Sequence, residues 1–135
     1  MIDLFNIEKQ TARRMDNYLS HLATRDSIVK ENSRLVISIK NQFLQVSLYE
    51  HQQFIKNIPI DSIADFFGFT YEENKQKALE KYILSLAERH TIPIENTLLV
   101  ICYHKGQVGA FLYNFSQYIR RLEMMEVIAY FYSLR

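Results

Sequence analysis

Three residue types are scarce in this chain, and each scarcity excludes something. There is one Cys, Cys102, so no disulfide can close within the chain. A lone Cys in an apolar run reads as a small core hydrophobe, and it suits a reducing cytosol. Three Gly and two Pro in 135 residues leave little material for long loops. An enzyme assembled from extended active-site loops is therefore not expected. No apolar run approaches the roughly 18 residues needed to span a bilayer. The most apolar stretch, 122–134, is broken by Glu123 and Glu126. The opening segment lacks a basic region followed by an apolar run, so no signal peptide is expected and the expected location is cytoplasmic.

A net charge of +1 gives no overall field for nucleic acid or an anionic membrane. The charge is uneven, however. Residues 41–73 hold one Lys against five acids, and 74–121 hold seven Lys and Arg against three acids. The sequence shows no repeat of solenoid length, no low-complexity stretch and no linker, so residues 1–135 read as a single domain.

Periodicity then orders the chain. Asn6 can cap a first helix whose stripe is Ile7, Met15, Tyr18, Leu19 and Leu22. Ile28-Val29 could form a short strand. Leu35, Ile37 and Ile39 alternate with Val36, Ser38 and Lys40, and 42–48 alternates likewise across an Asn41-Gln42 reversal. This predicts a hairpin with one core face and one wet face. Residues 51–58 read as a helical turn closed by Pro59. Asp61 and Gly68 bracket a short helix, and Thr70 with Glu73 forms a capping box for a longer one. That helix ends before Ile92-Pro93. Leu98–Tyr103 is apolar throughout, which predicts a central strand, and Gly106 allows the return over 108–113. Asn114 with Gln117 predicts a last helix running to the C-terminus.

The expected fold is α+β, of order α-(β)ββ-α-α-ββ-α. An antiparallel sheet of four or five strands, built from two hairpins, is packed by helices. In element order this is similar to small antiparallel adaptor folds, the type III secretion chaperone class and the roadblock-type modules. That likeness implies a protein that dimerises and holds partner segments.

Chemistry-bearing patterns are sparse. Cys102 and His104 share a strand face but lack an orienting third residue. His21, His51, His90 and His104 show no metal-ligand spacing, and Asp61 with Asp65 lacks a third acid. No catalytic residue, metal or cofactor is expected, and the protein reads as a non-enzyme. Residues 61–90 look like a helix-turn-helix, with Lys75, Lys77 and Lys81 as candidate phosphate contacts, so a nucleic-acid-binding regulator is the alternative reading. Arg13-Arg14 and Arg120-Arg121, taken to lie on the first and last helices, form a candidate anion-binding patch.

The last helix carries two apolar stripes, one of them Met124, Val127, Ile128, Phe131 and Leu134. A surface helix needs one. The leading expectation is thus an interaction or regulatory protein of the adaptor kind, a homodimer that joins through this stripe.

Overall fold

A computed structural model describes residues 4–59, 72–123 and 126. Helix α1 runs Leu4–Arg25, followed by a 3-10 turn at Lys30–Asn32. Strands β1 (Ser33–Lys40), β2 (Phe43–Glu50) and β3 (Gln53–Asn57) then form a meander. Helix α2 runs Glu72–His90, followed by a 3-10 turn at Ile94–Asn96. A second meander closes the described chain: β4 (Thr97–His104), β5 (Gln107–Asn114) and β6 (Gln117–Leu122). All six strands join one antiparallel sheet in the order β3-β2-β1-β4-β5-β6.

Both expected hairpins are present, and β4 is central as its unbroken apolar run requires. Five expectations need correction. The sheet has six strands, not four or five. Residues 53–57 form β3 rather than a helical turn, because Phe54 and Ile55 suit a strand and pair back onto β2 across a two-residue turn. Ile28-Val29 is a connector, not a strand. The last helix does not begin near Asn114: Asn114 pairs with Gln117 across a tight turn, and 117–122 is the edge strand β6. The same correction moves Arg120 and Arg121 from a helix to β6. Asn6 lies inside α1 rather than capping it. The expected helix over 62–67, Asp61, Gly68 and Thr70 fall outside the described residues.

The architecture rests on a repeat longer than any solenoid unit. Residues 8–58 align without a gap on 72–122 at an offset of 64, and fifteen of these 51 pairs are identical. The backbone obeys the same offset. Among the described residues, the left-handed ones are Ser27 and Thr91, Asn41 and Lys105, Gln42 and Gly106, His51 and Phe115. Each pair differs by 64. Asn41-Gln42 and Lys105-Gly106 are two-residue hairpin turns with positive φ at both positions. His51 N–H donates to the Asn32 carbonyl at 2.8 Å, and Phe115 N–H to the Asn96 carbonyl at 2.7 Å. Bulges fall at Leu48/Tyr49 and at Leu112/Tyr113.

Val36 and Val100 are repeat mates, and they face each other directly across β1 and β4. Leu35 faces Ile101 and Ile37 faces Leu99, which are again mates in exchanged positions. A pseudo-two-fold axis therefore crosses the sheet at the Val36–Val100 pair.

The core is duplicated too. Met15 and Leu79, Leu22 and Leu86, Leu35 and Leu99, and Leu48 and Leu112 are mates, and all are buried in one cluster. Both helices bury their stripes on the same sheet face. Each edge strand is tied to its own helix end at matching positions: Lys56 pairs with Asp26 at 3.1 Å, and Arg120 Nε donates to His90 Nε2 at 3.1 Å.

Equivalent burial predicts equivalent cost. Leu48→Ala and Leu112→Ala should each lose about 2–5 kcal/mol, and the two losses should agree within about 1 kcal/mol, read by urea unfolding. A near-neutral substitution at either position would break the equivalence.

Candidate functional site

Among the described residues, helices cover only one face of the sheet, and alternation along each strand sends the other half of the side chains to the opposite, helix-free face. That opposite face carries Arg34, Val36, Ser38 and Lys40 from β1, and Leu98, Val100, Cys102 and His104 from β4. Phe43, Gln45, Ser47 and Tyr49 join from β2, and Gly109, Phe111 and Tyr113 from β5.

Two aromatic pairs stand at its ends. Tyr49 meets Phe54 edge-on at 5.7 Å and 72°, and Tyr113 meets Tyr118 edge-on at 5.7 Å and 67°. They are repeat mates, and each straddles a bulge that brings the edge-strand ring alongside its neighbour. Phe54 is 51% exposed and Tyr118 53%. Between them the surface is aliphatic, with Val36 and Leu98 half-buried and Val100 buried.

The halves are not chemically equal. Gly109 stands where the first half has Gln45, and Phe111 where it has Ser47. A Cβ on Gly109 would lie 3.1 Å from the Phe111 ring, so this glycine makes room for it. Phe111 is 8% exposed, edge-on to His104 at 5.9 Å and beside the Arg121 guanidinium at 5.9 Å.

The charges on this face have one sign. The six strands contain one acid, Glu50, whose carboxylate accepts from Val29 N–H in the loop before β1. The helix-free face holds Arg34, Lys40 and Arg121 with no strand carboxylate among them. Arg34 lies opposite Cys102, and burial pushes that thiol up despite the guanidinium. A protonated, half-buried thiol is a weak nucleophile.

Two polar clusters lie on the helix side. Tyr103 donates its hydroxyl to the Asp16 carboxylate, Lys30 Nζ lies 3.0 Å from that carboxylate, and Lys30 sits 4.8 Å from the Tyr103 ring centre. The Tyr103 hydrogen bond, aided by Lys30, holds the Asp16 carboxyl below its ordinary value. Its contribution is therefore present above the ordinary carboxylate range and fades as pH falls through the lowered value. Asp16 is half open to solvent, so that contribution is modest. Burial raises the Tyr103 hydroxyl. The repeat mates of Asp16, Tyr103 and Lys30 are Glu80, Ile39 and Ile94, so the second half has no such cluster. It has instead a shallow open notch of about 660 Å³ between Leu84, Ala87, Ile92 and Ile94. In the other cluster, Arg120 grips Glu126 through two nitrogens at 2.7 and 3.1 Å, and Arg89 adds a third contact at 3.0 Å. These hydrogen bonds hold Glu126 below the usual carboxylate range.

The residues singled out from sequence are scattered. Arg13 and Arg14 are exposed on α1. Arg120 turns toward α2 while Arg121 turns to the helix-free face, so the second doublet is split across the sheet. Lys77 and Lys81 are exposed on α2, and Lys75 lies in its first turns. Met124, Val127, Ile128, Phe131 and Leu134 fall outside the described residues. Among the described residues no group of three or more His, Cys, Asp or Glu could hold a metal ion, and no helix is long and apolar enough to cross a membrane.

Sequence reading missed the aromatic pairs. The signal was present: Leu-Tyr, then Gln four residues beyond that Tyr and Ile two further, recurs at 48–55 and 112–119. No protein-family model, curated protein or solved structure matches the chain.

If Gly109 exists to seat Phe111, Gly109→Ala should cost about 1–3 kcal/mol in the native background. Most of that cost should vanish in a Phe111→Ala background, read as a double-mutant cycle by chemical unfolding. An equal cost in both backgrounds would contradict this role.

Proposed function

We propose that this protein is a non-enzymatic interaction module that presents the helix-free face of its sheet to a protein partner. One observation supports this most: a six-stranded sheet covered by helices on one side carries two half-exposed aromatic pairs and an aliphatic centre on the other. Aromatic residues beside a dry aliphatic patch are the usual makings of an interface core. We also propose that the chain works as a homodimer joined through Met124, Val127, Ile128, Phe131 and Leu134, apolar residues of a stretch outside the described residues.

The alternative is a nucleic-acid-binding regulator that uses Lys75, Lys77 and Lys81. Exposure of Lys77 and Lys81 on α2 favours it, and Glu80 and Glu88 on the same helix oppose it.

A photo-crosslinking amino acid placed at Phe54, Tyr118 or Lys81 in the producing cells distinguishes the readings. Discrete protein adducts at Phe54 and Tyr118, absent at Lys81, are expected. Nuclease-sensitive adducts at Lys81 alone would favour the alternative, and no adducts at Phe54 and Tyr118 would defeat the interaction face. Light scattering reads the dimer: twice 16.1 kDa is expected for the native chain, falling to 16.1 kDa for Ile128→Asp with Phe131→Asp. A native mass of 16.1 kDa would remove the homodimer.

A further inference from the structure

The chemistry of the helix-free face also constrains what it binds. Arg34, Lys40 and Arg121 surround the aromatic and aliphatic surface, and the strands offer that face no carboxylate. A second copy placed face to face would bring these cations together with no strand carboxylate to neutralise them. Stacked nucleobases need open ring faces lying along the sheet. Here the end pairs meet edge-on, Phe111 is buried, and the centre is Val36, Val100 and Leu98. The open edges are poor seats for an added strand. A bulge disturbs the pairing beside each, and Lys56 and Arg120 lie on the edge strands themselves.

We infer that the helix-free face binds an acidic amphipathic protein segment, whose apolar side chains seat on the two aromatic pairs and the valine centre while its carboxylates meet Arg34, Lys40 and Arg121. This rests on the interaction reading and adds the partner's chemistry. Length follows from geometry. From β3 to β6 are five strand spacings of roughly 4.8 Å, or about 24 Å. Phe54 is level with Cys102 and Tyr118 with Leu98, a stagger of about 13 Å along the strands, so a helix crossing from one to the other spans about 27 Å and needs about 18 residues. The pseudo-two-fold axis makes the end seats similar, so polarity must come from what differs: Phe111, Gly109 and Arg121 on one side against Ser47, Gln45 and Asn57 on the other.

The test is selection of random displayed 20-residue peptides on the full-length protein, with Phe54→Asp/Tyr118→Asp as the counter-selected surface. A random single-stranded oligonucleotide pool is run beside it. Enriched peptides should combine Asp and Glu with apolar residues at helical spacing. A synthetic copy should bind the native chain at least tenfold more tightly than the counter-selected variant. Lys40→Glu/Arg121→Glu changes two exposed positions and should reverse the selected charge to Lys and Arg. Peptides of neutral or basic character on the native chain, or an acidic preference that survives the charge reversal, would overturn the inference and leave the interaction face standing. Enrichment indifferent to Phe54 and Tyr118, or enrichment of oligonucleotides without peptides, would overturn both.

Discussion

The pairing of β1 with β4 is the contact on which the rest depends. Each half of the chain can build a three-stranded meander with its own helix, but such a unit exposes a long inner strand. Antiparallel pairing about Val36 and Val100 joins the inner strands and makes one sheet of six. It also brings Leu35, Ile37, Leu99 and Ile101 together under both helices. Without that seam there would be two small cores in place of one, and small cores leave too large a fraction of their surface wet.

The seam fixes which surface is left over. Two helices related by the pseudo-two-fold axis must approach the sheet from the same side. The other side therefore keeps its alternate residues, and those residues differ between the halves. Half one retains Ser47 and Asn57, joined by a hydrogen bond of 3.1 Å. Half two substitutes Phe111 under Arg121, with Gly109 making the space. The helix side diverges in the same manner, with the Asp16–Tyr103–Lys30 cluster beside α1 and an apolar notch beside α2. Identical mates such as Leu22 and Leu86, Leu35 and Leu99, and Leu48 and Leu112 hold the common core.

Much of the architecture was legible in the sequence, for identifiable reasons. The hairpins announced themselves through alternation at 35–48 and through Gly106. The central place of β4 followed from its unbroken apolar run. The edge strands were hidden because bulges at Leu48/Tyr49 and Leu112/Tyr113 break the period of two where β3 and β6 begin to pair. Gln117 three residues after Asn114 imitates a helix start, although here the two residues close a hairpin. The candidate face was illegible from either half alone. Tyr49 reads as an ordinary strand aromatic and Phe54 as part of a helical turn until their counterparts 64 residues on show the same arrangement at the opposite end. The Arg120-Arg121 doublet misled for a related reason: neighbours on a strand point apart, so the two guanidinium groups serve opposite faces.

The central claim is that two like halves meet at one antiparallel seam. Cross-strand nuclear Overhauser contacts in the isotope-labelled full chain test it most directly. Backbone contacts should link Val36 with Val100, Leu35 with Ile101 and Ile37 with Leu99. If β1 and β4 instead lack mutual contacts, or pair in a register that does not oppose Val36 to Val100, the pseudo-symmetric sheet and the face built on it are wrong.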